Sequence, residues 1–355
     1  MRLSVRPVGA HGPTPRASRV FLHIGAPVTG STYLRGTLHR SRRQLTRFGI
    51  LYPSSHVAGA GHLEAVLDVL GLADSDHHGT TGAWDRLTQC ARDWRRGTVV
   101  VSHELLADAD EHQVERVMSG FGGAEVHVVY AARALALQLP LAWQEWVRNG
   151  GTTPFESYVD QVTGRGPHRP ARVFWRSHEL PAVLHRWSAF VPPGRVHVLT
   201  VPAGPDQEQV LWSRFAHTVG IDPARVRPAV PPEPGPLSLA AAEAVRLLNQ
   251  ATGRGPSPAV LAAAAGVPGH TPCLSPAHLE RLRVEQERTV DAVADGGYDL
   301  VGDLAELRAE DRAGDPTRLV APDAAVLHAQ TQLLARLDAE GPADRSRRAQ
   351  LMRVR

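Results

Sequence analysis

The sequence predicts an α/β fold of three layers, with a central parallel sheet flanked by helices. Three observations carry this. Short, apolar, β-branched runs recur at Val20–Ile24, Thr98–Val101 and Glu125–Tyr130. They are bounded by turn residues and are too short for helices. Longer stretches with apolar residues at helical spacing lie between them. The chain of 355 residues, 43% hydrophobic, is long enough to bury one large core or two smaller ones.

The stretch Val20–Thr32 organises the rest. Val20–Ile24 reads as a buried strand, and Gly25, Pro27 and Gly30 end it. A helix follows from about Ser31 to Gly49, with Tyr33, Leu34, Leu38 and Leu45 at helical spacing. Strand, tight glycine loop and helix N-terminus form the geometry that holds an anionic phosphate, because free N–H groups and the helix dipole converge there. An ordinary βα turn has the same outline. The spacing of Gly25 and Gly30 is that of a nucleotide-triphosphate loop, but Ser31 and Thr32 stand where lysine and then Ser or Thr would be needed. A nucleotide kinase would also want a magnesium-binding Asp at a strand end, and Tyr130-Ala-Ala-Arg133 offers none.

Gly49–Pro53 reads as a short extended piece. Helices are expected over His62–Leu72 and Trp84–Arg96, and His77-His78 lies in a polar loop, a weak metal signal without further ligands. The second strand, Thr98–Val101, ends at Ser102-His103-Glu104. Residues at the carboxyl end of a parallel strand face the ligand crevice of open sheets, which places Glu104 to act on a substrate. Equally, Ser102 could cap a helix running to about Phe121, with Glu104 as its first-turn acid. Arg133 follows the third strand; it can grip a phosphate as a charge-assisted fork or simply cap the strand. Pro228–Pro236 is a proline-rich hinge. Helices are expected at Ser238–Gln250, Ala259–Ala265, Ser275–Ala294 and, past a charged break at 308–318, Pro322–Leu337.

The net charge is +3, but the balance lies at the ends: residues 1–19 carry +4 and residues 336–355 carry +3, leaving the middle at −4. A nucleic-acid partner would require a basic face on the folded body, so none is expected. All 39 basic residues are arginine, a planar cation that is no proton donor near neutral pH. Cys90 and Cys273 are too few for a disulfide framework or a zinc cluster and are expected to be buried thiols. No run suits a membrane span. Residues 1–19 lack the apolar segment of a secretory signal, so a cytoplasmic location is expected.

Two of these stretches resemble the sulfotransferase family. Pro27, Thr29, Gly30, Ser31 and Thr32 match its 5′-phosphosulfate loop, commonly Pro-Lys-Thr-Gly-Thr/Ser-Thr, with Val28 in place of the lysine. Arg133-Ala-Leu-Ala-Leu-Gln-Leu-Pro140 followed by Ala142-Trp-Gln-Glu resembles its second signature, especially as found in actinobacterial sulfotransferase-like proteins. There Ala134 replaces an Asp, and Leu141 stands where the broader family has a phosphate-binding Ser. Ser102-His103-Glu104, Phe174-Trp175-Arg176, Leu180-Pro181, Trp187, the strand 195–202, Leu211–Phe215 and Gly297–Leu304 extend the likeness over about residues 19–308.

The resemblance implies a P-loop-like nucleotide-binding fold and sulfuryl transfer from 3′-phosphoadenosine 5′-phosphosulfate to a hydroxyl or amine acceptor, without a metal. It implies that Thr29, Gly30, Ser31 and Thr32 hold the phosphosulfate, that Arg133 holds the 3′-phosphate, and that Glu104, or His103 beside it, takes the acceptor proton. Arg35, Arg40 or Arg176 could supply the cation missing at Val28. The departures at Val28, Ala134 and Leu141 equally suit a non-catalytic nucleotide-binding or scaffold protein. The expected organisation is a disordered basic tail at 1–18, a sulfotransferase-like domain at 19–308, and a C-terminal amphipathic helix with a basic tail at 309–355. Residues 322–337 could pack on the domain or mediate self-association, and segments 150–172 and 228–275 are expected to select the acceptor.

Overall fold

The structure is a computed structural model that describes residues 19–308, except 60, 73–79, 96, 227 and 229–235, together with 323–339. The basic tails, the 309–318 break, the His77-His78 pair and most of the proline-rich hinge lie outside the described residues. In chain order the elements are β1 (Arg19–Gly25), α1 (Ser31–Arg47), β2 (Ile50–Leu51), α2 (Ser55–Ala58), α3 (His62–Val69), α4 (Ala83–Asp93), β3 (Thr98–Ser102), α5 (Glu111–Ser119), β4 (Glu125–Ala132) and α6 (Leu135–Arg148). Then come α7 (Phe155–Thr163), α8 (Arg169–His178), α9 (Leu180–Ser188), β5 (Val196–Thr200), α10 (Gln207–Val219), α11 (Leu239–Thr252), α12 (Pro258–Ala265), α13 (Pro276–Asp295), β6 (Asp299–Val301) and α14 (Asp323–Ala339).

The six strands form one parallel sheet in the order β2-β3-β1-β4-β5-β6, flanked by helices, as the strand pattern predicted. Strand alternation splits the core into two layers. Val20, Leu22 and Ile24 join Val99, Val101, Val128 and Trp84 under α3, α4, α5 and α9. Phe21, Val100, Val129 and Leu199 face the other way, onto Leu34 and Leu38 of α1 and Leu211 and Phe215 of α10. A third apolar cluster lies off the sheet. It joins Leu139 and Trp143 of α6 to Tyr158, Phe174, Val245 and Val260 from α7, α8, α11 and α12. Ala329 and Leu333 of α14 are buried in that cluster, so this helix packs on α11 and α12.

Two expectations need correction. No continuous helix runs from Ser102 to Phe121. Ser102 is the last residue of β3, and its hydroxyl meets the His23 ring rather than capping a helix. A short 3₁₀ turn, Glu104–Asp108, follows it. The helix begins only at Glu111, where Asp110 and Gln113 satisfy each other's backbone N–H in a capping box. Cys90 and Cys273 are half-buried rather than enclosed, Cys90 on α4 and Cys273 on the rim of the cleft described below.

Candidate functional site at the carboxyl edge of the sheet

The loop after β1 is held by its own polar groups. The Ala26 N–H donates to the Ala131 carbonyl of β4 (3.0 Å). Its carbonyl accepts from the hydroxyls of Thr29 (2.7 Å) and Ser31 (3.1 Å). These two hydroxyls therefore close the loop, which presents outward its backbone and the exposed Thr32 side chain, whose hydroxyl accepts from Arg35 Nη2 at 3.5 Å. Val28 adopts φ 52°, the left-handed region that a β-branched residue enters only under constraint. Its side chain packs on the third apolar cluster. Gly30 has φ 103°, and a Cβ there would come within 2.9 Å of Leu211 Cδ2, so both conformation and space demand glycine.

Gly30 is also the N-cap of α1. No side chain caps this helix, and its first turn carries no acid. The donors and the positive dipole end of a 17-residue helix are thus left for something outside it.

Glu104 emerges just past β3, where the backbone is tied down on both sides. The Ser102 N–H donates to His62 Nδ1 (3.0 Å), His62 Nε2–H donates to the Pro53 carbonyl (2.7 Å), and the His103 N–H donates to the His23 carbonyl (3.0 Å). Glu104 Oε1 pairs with Arg35 Nη2 at 3.2 Å, and Oε2 is buried without a partner. Arg35, a candidate substitute for the missing lysine, is thus an ion-pair partner of the candidate base. Arg176 is turned elsewhere, donating to the Asp108 carbonyl at 2.6 Å.

His103 is placed differently from Glu104. Its ring is buried, its Nδ1 accepts from the Leu105 N–H (3.3 Å), and burial, aided by the Arg35 charge, holds its pKa near 3. Burial likewise holds His23 near 3, and His62 and His178 near 4. All four rings are neutral at physiological pH.

Arg133 is nearly buried. Nη1 donates to the Val28 carbonyl (3.4 Å) and Nη2 to Gln207 Oε1 (2.9 Å), while Nε has no partner. Neither acceptor is charged. Burial draws its pKa down to about 10, partly offset by Glu208, so the cation persists at neutral pH. The Glu208 carboxylate acts on this arginine through its charge, while both of its hydrogen-bond acceptors are neutral and leave room for an anion to bind directly.

These groups share one cleft of about 1100 Å³. Its floor holds Pro27, Val28, Gly30, Ser31 and Thr32 from the loop, with Glu104 and Arg133 from the ends of β3 and β4. Its far wall comes from the helical layer: Leu137, Leu141 and Trp146 of α6, Tyr158 of α7, Val173 and Phe174 of α8, and Thr271–Leu274. Arg169 stacks over the Trp146 ring at 5.2 Å. Parts of the 150–172 and 228–275 segments therefore line the cleft. Thr29 lies beneath it, facing a small cavity, and His103 is not among its lining residues.

Sequence reasoning missed Gln138 and Gln207. Gln138, buried on α6, donates from Nε2 to the Pro27 carbonyl (2.6 Å) and lies 3.0 Å from His178 Nε2. A lone amide on an otherwise apolar helix face was the available signal. Gln207 had none, since its value comes from the fold bringing α10 beside Arg133. Among the described residues no group of three or more His, Cys, Asp or Glu side chains is arranged to hold a metal ion, and no helix is long and apolar enough to cross a membrane.

No protein-family model matches the chain, and no curated protein matches it. Among solved structures it is similar to a sulfotransferase from Alicyclobacillus acidocaldarius. The two share 15% sequence identity and a TM-score of 0.43 over 81% of this chain and 98% of that one.

Proposed function

We propose that the cleft binds 3′-phosphoadenosine 5′-phosphosulfate and transfers its sulfuryl group to a hydroxyl or amine acceptor. One observation carries the reading: the N-terminus of α1, which no side chain caps, and the buried Arg133, whose hydrogen-bond acceptors are both neutral, open on the same cleft. The N–H groups at the start of α1 would hold the 5′-phosphosulfate, and Arg133 the 3′-phosphate. Glu104 would accept the proton of the acceptor O–H or N–H as that atom forms its bond to sulfur. The bond from sulfur to the 5′-phosphate oxygen breaks, and the bisphosphate nucleotide leaves with that electron pair. Positioning and charge stabilisation are the protein's tools in such an in-line displacement. The acceptor would lie against the apolar wall formed by α6 and α8.

A second reading, a nucleotide-binding protein without transfer activity, is favoured by Val28. Its apolar side chain, on the cleft floor and packed against an apolar cluster, offers the site no charge, and the chain contains no lysine to replace the one this loop lacks. Titration calorimetry with 3′-phosphoadenosine 5′-phosphate tests what the two readings share; absence of binding sinks both. Incubating donor with an acceptor library, and looking by mass spectrometry for an added sulfuryl group, separates them. The Val28→Lys variant sharpens the separation: under the first reading it raises turnover, and under the second no product appears with the wild type.

A further inference from the structure

Adjoining the cleft, and sharing Arg133 and His178 with its lining, lies a cavity of about 20 Å³ that Gln138, Gln286 and Thr289 also line. Three polar atoms of its lining side chains are buried and unpartnered: Arg133 Nε, Gln138 Oε1 and Gln286 Oε1. The amide orientation of Gln138 is fixed by chemistry. Its Nε2 donates to the Pro27 carbonyl, and turning the amide over would set two oxygens 2.6 Å apart. His178 Nδ1, 2.9 Å from the Phe174 carbonyl, carries the ring proton, so Nε2 is the acceptor that faces the Gln138 amide at 3.0 Å. With Gln286 Oε1 as the buried atom of its amide, the orphan atoms comprise one donor and two acceptors.

The geometry points to one ordered water in this cavity, accepting from Arg133 Nε–H and donating to Gln138 Oε1 and Gln286 Oε1. The volume exceeds the roughly 10–15 Å³ that a single water needs, and three polar partners are typical of buried water. The stoichiometry leaves no member unsatisfied, which matters because an unpaired buried polar group is costly. The consequence is positional. Gln286 on α13 is not among the residues lining the cleft, yet through the water it fixes the rotation of the Arg133 guanidinium. Through Gln138 it couples that guanidinium to the Pro27 carbonyl of the loop. Gln286 is thus a positioning residue for the anion-binding arginine, which rests on the reading of Arg133 given above.

A crystal structure of the wild-type protein at about 1.8 Å tests the water directly. Density for one water within hydrogen-bond distance of Arg133 Nε and Gln286 Oε1 is the expected result. An empty cavity, or Gln286 Oε1 bonded directly to Arg133 Nε, overturns the proposal. The positioning role is tested with Gln286→Met, which keeps the length and removes the acceptor, and Gln286→His, whose neutral ring keeps an acceptor without adding a charge beside Arg133. Gln286→Met is expected to weaken binding of 3′-phosphoadenosine 5′-phosphate about three- to tenfold and to lose the water density, with Gln286→His recovering part of the affinity. Equal affinity in Gln286→Met and wild type overturns the positioning role. If the wild type binds no nucleotide, the functional reading falls while the density still decides the water.

Discussion

The two ends of the sheet treat their polar side chains in opposite ways. At the amino end of β4, β5 and β6 the polar groups lie in one chain of contacts, in which the two ring protons of neutral His127 and His197 are donated to Glu125 and Asp299. Glu125 Oε1 meets His127 Nε2 at 3.0 Å, His127 Nδ1 meets His197 Nε2 at 2.8 Å, and His197 Nδ1 meets Asp299 Oδ2 at 2.6 Å. Phe21 stacks on the His127 ring at 4.5 Å. At the carboxyl end Glu104 Oε2, Arg133 Nε, Gln138 Oε1 and His23 Nε2 are all buried without partners. Ser238, Ser257 and Ser275 cap α11, α12 and α13 with their hydroxyls; α1 has no side-chain cap, as is also true of α3, α4 and α6–α10, but its N-terminus opens on the cleft. Partnered polar groups serve the fold; of the side chains with unpartnered atoms, Glu104 and Arg133 line the cleft, at the edge where ligands bind in parallel sheets.

Acidification should expose this contrast most strongly. His23, His62, His103 and His178 all lie around the carboxyl end and are held neutral in the folded state. In the unfolded chain they titrate near 6.5, so below that pH the unfolded state binds more protons and stability falls as pH falls. Each contributes about 1.4 kcal/mol per pH unit until its folded pKa, near 3 or 4, is reached. Urea unfolding between pH 7.5 and 5 should show a loss of several kcal/mol per unit below about pH 6. A flat profile would mean that these rings are solvated.

Glu104→Gln should lower sulfuryl-transfer turnover on the order of 100–1000-fold while leaving the affinity for 3′-phosphoadenosine 5′-phosphate within about twofold. A parallel loss of affinity would make Glu104 a binding group. Arg133→Ala should weaken nucleotide binding about 10- to 100-fold, the value of a charge-assisted hydrogen bond to an anion. Calorimetry reads this directly, and unchanged binding would move the anion site elsewhere. Asp299→Asn, at the amino end, should cost about 1 kcal/mol or less, because the carboxylate is half exposed. It should leave nucleotide affinity unchanged; a change there would break the division between the two ends.

Much of the architecture was legible in the chain because strands and helices carry local signals. The alternation of Val20, Leu22 and Ile24 against Phe21 sets the two faces of the sheet, and Gly25, Pro27 and Gly30 mark the loop. The Ser275-Pro276 start of α13 is a local capping signal that the structure realises, Ser275 accepting from the His278 N–H at 3.2 Å. Where the reading failed, a distant partner had taken over the local signal. Ser102 looks like a helix cap, but its hydroxyl is drawn to His23, 79 residues away in the chain.

The sequence by itself determined the strand, glycine loop and helix, and the places of Glu104 and Arg133 at strand ends, since these follow from hydrophobic period and turn chemistry. Only the tertiary structure decided what each polar atom would have left to offer. It spent the Thr29 and Ser31 hydroxyls on the Ala26 carbonyl, set Arg35 against Glu104, and left Arg133 between two neutral acceptors. The physical reason is that a hydrogen bond depends on position within fractions of an ångström, and those positions are fixed by packing among residues as far as 105 apart in the chain.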